Sequence, residues 1–112
     1  MADVTLDVDP GTGQTAVKLQ AEAWELNIRG QLSDFVGLGR IRDADWDERR
    51  SLAIGTCAGA PVFWASSGGE VAILVGQDDE TWDVAVTVPL SSVDEIASQA
   101  SRMTQHHQAP RA

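Results

Sequence analysis

The sequence predicts an α+β fold: a mainly antiparallel β-sheet with a C-terminal helix packed on one face and a short helix or turn in the middle. Three observations predict it. Residues 3–9 and 82–88 alternate apolar with polar or small side chains, the period-two pattern of a half-buried strand. Other short apolar runs are separated by Gly, Pro and Ser clusters at hairpin distances. Residues 93–103 instead carry Val93, Ile96, Ala97, Ala100 and Met103 at helical spacing, one apolar stripe for a sheet to cover.

In the first strand Val4, Leu6 and Val8 share one face, and Asp3, Thr5, Asp7 and Asp9 the other. Asp9-Pro10-Gly11-Thr12-Gly13 then turns the chain. Residues 14–29 fit two patterns. Val17, Ala21, Trp24 and Ile28 sit at helical spacing, but Val17 and Leu19 alternate, as do Trp24, Leu26 and Ile28. The two alternations differ in parity, so strands require a break near Glu22. Strands are expected, because the preceding turn delivers a hairpin partner to the first strand. Residues 33–42 place Phe35, Leu38 and Ile41 at spacing three behind Ser33, a candidate helix cap. Asp45 with Glu48 three residues on forms a second capping pattern.

From Ser51 onward four strands are expected, in SLAIGTCA, PVFWA, EVAILVG and WDVAVTV. The last has Trp82, Val84, Val86 and Val88 on one face and Asp83, Ala85 and Thr87 on the other. Pro89, with no N–H to donate, ends it. Ser91 or Ser92 is expected to cap the C-terminal helix, with Asp94 and Glu95 in its first turn and Arg102 near its end. Residues 1–103 read as one domain and 104–112 as a polar flexible tail.

A chain of 112 residues buries about 65% of the surface that its unfolded form exposes, enough for a core without a staple. The single cysteine, Cys57, rules out an internal disulfide and is expected to be buried and structural. No apolar run approaches the roughly 18 residues of a membrane span, and the first residues lack a basic and apolar leader; a cytoplasmic protein is expected. Seventeen acids against eight bases give a net charge of −9. That field repels nucleic acid and anionic membrane and attracts basic proteins.

Candidate chemistry is concentrated in two acidic loops. One is Asp78-Asp79-Glu80-Thr81-Trp82, the other Asp43-Ala44-Asp45-Trp46-Asp47-Glu48. Each sets an indole among carboxylates. Aromatics anchor interfaces and charges steer encounter, so Asp78, Asp79, Glu80, Trp82, Trp46 and Asp47 are the expected partner-binding residues, for a basic protein partner. The competing readings are a solvated hairpin turn for the first loop, core packing for Trp82, and simple ion pairs with Arg49 and Arg50 for the second. No calcium-loop pattern organises the acids, so no metal is expected. No catalytic residue and no cofactor is expected. His106 and His107 lie in the polar tail, and no phosphate-binding glycine loop or Cys-x-x-Cys occurs.

Residues 61–96, PVFWASSGGEVAILVGQDDETWDVAVTVPLSSVDEI, resemble the actinobacterial immunity proteins of the Imm1 type in the order of strand, glycine turn, strand, acidic loop, strand ending Val88-Pro89-Leu90, and helix from Val93 to Ile96. The resemblance implies a small α+β protein that binds and neutralises a cognate toxin; the acidic charge suits a basic one. Two further readings stand beside it: a small-molecule-binding or enzymatic domain with a pocket between sheet and helix, and a subunit of a structural homo-oligomer.

Overall fold

Seven strands follow one another across a single antiparallel sheet in the order of the sequence. The computed structural model describes residues 3–78 and 80–107. The strands are β1 (Asp3–Val8), β2 (Gln14–Gln20), β3 (Glu25–Gln31), β4 (Leu52–Cys57), β5 (Ala60–Ser67), β6 (Glu70–Gly76) and β7 (Trp82–Pro89). Between β3 and β4 the chain forms α1 (Leu32–Val36), a 3-10 segment (Gly37–Asp43) and a 3-10 turn (Trp46–Glu48); α2 (Leu90–His107) follows β7. The α+β architecture read from the sequence is the one observed.

The parity problem in residues 14–29 resolves as a hairpin. Val17 pairs with Ile28 and Leu19 with Leu26. A turn at 21–24, closed by the Ala21 N–H donating to the Trp24 carbonyl at 2.8 Å, makes the two alternations face the same side. The β3–β4 junction is narrow, with Arg29 and Thr56 as its one paired position. There Gly30 and Gly55 allow close approach under the Phe35 ring. A Cβ on Gly55, which has φ +81°, would fall 2.6 Å from Ile28 Cγ2.

One sheet face holds the core. Val17, Ile28, Val62, Trp64, Val71, Ile73 and Val88 meet Phe35, Leu38 and Ile41 from the helical detour and Val93, Ile96 and Ala100 from α2. The expected α2 stripe is the docked face: Val93, Ile96 and Ala100 are fully buried, with Ala97 and Met103 half-buried beside them. Trp64 is also fully buried, and its indole N–H donates to the Ile54 carbonyl at 2.9 Å, so its polar atom stays satisfied.

Neither longer capping expectation holds. α1 begins at Leu32, not behind Ser33, and its cap residue Gln31 makes no side-chain cap bond. α2 begins at Leu90, so Ser91 and Ser92 lie inside it and no acid falls in its first turn. The reason is the same twice. The Leu32 N–H donates to the Gly13 carbonyl at 3.1 Å, and the Leu90 N–H to the Gly69 carbonyl at 3.0 Å. A hairpin turn satisfies each helix start, so no capping side chain is needed. Asp94 instead forms a two-pronged pair with Arg42, both N–O distances 2.8 Å, which ties the 3-10 segment to α2. The Asp45 cap does hold: its carboxylate accepts from the Asp47 N–H at 2.9 Å.

Of the tail expected over 104–112, residues 104–107 are helical and 108–112 lie outside the described residues. α2 continues to His107, because residues 101–107 contain no glycine or proline and the Thr104 hydroxyl donates to the Ala100 carbonyl at 2.8 Å. Cys57 is half-buried at the end of β4, beside the turn into β5, and not inside the core. Among the described residues no helix is long and apolar enough to cross a membrane.

A candidate partner-binding surface of two tryptophans

The position of Trp82 is set by an irregularity in the last hairpin. β6 and β7 pair regularly from Glu70↔Pro89 to Val75↔Val84, and then the register shifts so that Gly76 faces Trp82. One extra residue on β7, a β-bulge, reverses the side-chain parity beyond it. Val84, Val86 and Val88 keep the core-facing parity of Val75, Ile73 and Val71. Trp82 is turned to the opposite face, alongside Gly76 and Leu74. The expectation that Trp82 shares a face with the valines is corrected here, and so is the core-packing reading. Trp82 is 40% exposed and lies outside the core cluster.

Trp46 reaches the same face from the other loop. After Ala44 the chain runs parallel to the end of β5: the Ser66 N–H donates to the Ala44 carbonyl at 2.8 Å, and Asp45 bridges to Ser66. Ser66 has the core-side parity of Val62 and Trp64. Asp45, opposite it, is extended, so Trp46 projects to the outer face. The two indoles meet there edge to face, centroids 6.3 Å apart and planes at 75°. Leu74 (3% exposed) and Ala65 (fully buried) also lie on this outer face, outside the main core. Such a pair contributes about 0.5–1.5 kcal/mol beyond its buried area.

Carboxylates flank each indole in the sequence of its loop. Asp47 and Glu48 come from the 3-10 turn, Asp78 and Glu80 from the β6–β7 loop, and Asp83 from the bulge; all five are exposed. Asp79 lies outside the described residues. Asp78 has a structural task as well, since its Oδ1 accepts from the N–H groups of Glu80 at 2.8 Å and Thr81 at 2.7 Å. This Asx turn shapes the loop that leads into Trp82. The two arginines behave differently. Arg50 lies 3.6 Å from Glu48 in an exposed ion pair. Arg49 stacks its guanidinium 5.1 Å from the Trp46 ring centroid, from a backbone at φ +57°. An exposed cation–π contact of this kind contributes about 0.5–1 kcal/mol.

Of the expected residues the structure brings Trp46 and Trp82 together; Asp47, Asp78 and Glu80 are exposed in the loops that carry the two indoles. Sequence reasoning missed Arg49 as a partner of Trp46; the Trp-x-x-Arg spacing was its only trace. Among the described residues no group of His, Cys, Asp or Glu could hold a metal ion. A groove of about 550 Å³ runs between β1 and α2 and is lined by Leu6, Val8 and Met103 with Asp7 and Arg102. It lacks converging carboxylates. Val84, on the core-facing side of the edge strand and so across the sheet from Trp82, is 44% exposed.

Comparison of the chain with protein-family models, with curated proteins and with solved structures finds no match in any of the three.

Proposed function

We propose that the chain is a protein-binding module that docks a basic protein partner on the Trp46–Trp82 surface, acting as an immunity-like inhibitor that occludes the partner. The observation that supports this most is the convergence of two acidic, tryptophan-bearing loops 36 positions apart in sequence. Hairpin solvation would leave each loop on its own. A net charge of −9 accelerates encounter with a cationic surface. Half-exposed indoles then supply the anchoring area, and excluded water strengthens the surrounding charge pairs. A cytoplasmic setting fits the single cysteine.

Affinity capture from native cytosol, with wild type and a Trp46→Ala/Trp82→Ala variant as paired baits, tests the reading. A basic protein held by wild type, released by moderate salt and absent from the variant is expected. A partner captured equally by both baits overturns it.

A further inference from the structure

The indole face of Trp46 already holds a cation, supplied by the protein itself. Arg49 lies at 5.1 Å from the ring centroid, and its own side chain is exposed. No ion pair of Arg49 is found among the described residues, whereas Arg50, next to it, reaches Glu48. Arg49 holds this position from a left-handed backbone, φ +57° and ψ +40°, as the residue that closes the 3-10 turn. Its N–H donates to the Trp46 carbonyl at 2.9 Å, which fixes the start of the side chain one turn from the ring that it covers. The second indole stands nearly perpendicular to the first at 6.3 Å. Two crossed aromatic rings, one of them already faced by a guanidinium, form the general environment in which a protein binds an organic cation.

We infer that the Trp46–Trp82 corner is a binding site for an arginine side chain of the partner, and that Arg49 occupies it in the free protein as a displaceable internal ligand. The inference rests on the partner-binding reading of this surface and names the group that is recognised. Guanidinium is favoured over ammonium for two reasons. It is planar and weakly hydrated, so it stacks on indole at lower desolvation cost, and the occupant seen in place is itself a guanidinium. On docking, the incoming arginine takes the ring face. Arg49 swings outward to solvent or to the flanking Asp47 and Glu48 carboxylates. Occupancy by Arg49 thus lowers the apparent affinity by the fraction of time that it covers the ring.

The test uses two capped probes, hexa-arginine and hexa-lysine peptides, titrated at about 50 mM salt, where the Debye length is near 14 Å and charge effects are strong. Binding is read from tryptophan fluorescence and from the indole N–H signals assigned by substitution. Arg49→Asn removes the internal cation and keeps a residue tolerant of the left-handed backbone. Arg50→Asn removes the same charge one position away and serves as the electrostatic control. The expected result is that Arg49→Asn binds hexa-arginine about threefold tighter than Arg50→Asn does, a gain of the size that a cation–π contact yields. Wild type is expected to prefer hexa-arginine over hexa-lysine, with the largest shift on the Trp46 indole. Equal affinities for the two asparagine variants overturn the displaceable-ligand inference, as does equal affinity for the two peptides. Trp82→Ala and Trp46→Phe separate the levels. If both bind hexa-arginine as wild type does, the partner-binding reading itself fails. If both bind more weakly while the two asparagine variants agree, only the inference about Arg49 fails.

Discussion

Gly76 lies directly opposite Trp82 across the last hairpin, and a side chain at position 76 would collide with the Trp82 Cα and the Thr81 carbonyl. The obstacle is backbone, so no rotamer change relieves it. Gly76→Ala is expected to destabilise the protein by about 1–3 kcal/mol, the range for forced overpacking. It should also loosen the Trp46–Trp82 contact. Denaturant unfolding and near-ultraviolet circular dichroism measure the two effects, and an unchanged midpoint would contradict the bulge geometry.

The two indoles should be energetically coupled. A double-mutant cycle over Trp46→Ala and Trp82→Ala is expected to give a coupling of about 0.5–1.5 kcal/mol. Strict additivity would mean that the edge-to-face contact is not populated in solution.

Ile96 is fully buried where α2 meets the sheet. Ile96→Ala removes three carbons from a closed site and should cost about 2–4 kcal/mol through the cavity that it leaves. A loss below about 0.5 kcal/mol, the range of a surface change, would mean that α2 does not dock through this stripe.

The Arg42 pair holds the Asp94 carboxyl below its ordinary range, chiefly through the hydrogen bond and in spite of partial desolvation. A carboxylate depressed in the folded state stabilises fully above its unfolded pKa, about 4, and loses that effect as pH falls through the lower folded value. Unfolding midpoints followed from pH 6 down to about pH 2 should therefore fall less steeply in Asp94→Asn than in wild type. Identical slopes would show that the pair does not persist in water.

Asp78 serves the loop through one oxygen that accepts two N–H groups. Asp78→Asn keeps that oxygen and should change stability by no more than about 0.5 kcal/mol; Asp78→Ala removes it and should cost about 1 kcal/mol. Millimolar Ca²⁺ should leave the melting temperature of wild type and Asp78→Asn alike, since Asp78 is committed to the turn. A Ca²⁺ stabilisation lost in Asp78→Asn would reassign the loop as a cation site.

The sequence made the strands legible wherever a face alternated. The parity change between Val17-Leu19 and Leu26-Ile28 even located the turn at 21–24. It did not show the bulge at Asp83, because a bulge leaves the residue pattern intact and alters only the pairing. For that reason Trp82 read as the start of a valine face. The meeting of Trp46 with Trp82 was equally hidden. It depends on Ala44 and Asp45 docking against Ser66, a bond between segments more than 20 residues apart. The helix starts were misplaced because the groups that satisfy them, Gly13 and Gly69, belong to distant turns. Local capping rules see only neighbours.

Because strand order equals chain order, nearly every sheet contact joins segments that leave the ribosome one after the other. The helix that covers much of the core face comes after all seven strands, and it packs on β1, the first of them. A nascent chain of this protein therefore assembles its hairpins early but carries an uncovered apolar face until residues 93–100 emerge. At about 5–20 residues per second, the β1–β3 hairpins wait several seconds for that cover. Over that interval the half-made sheet depends on chaperones, or on its own acidic charge, to avoid association.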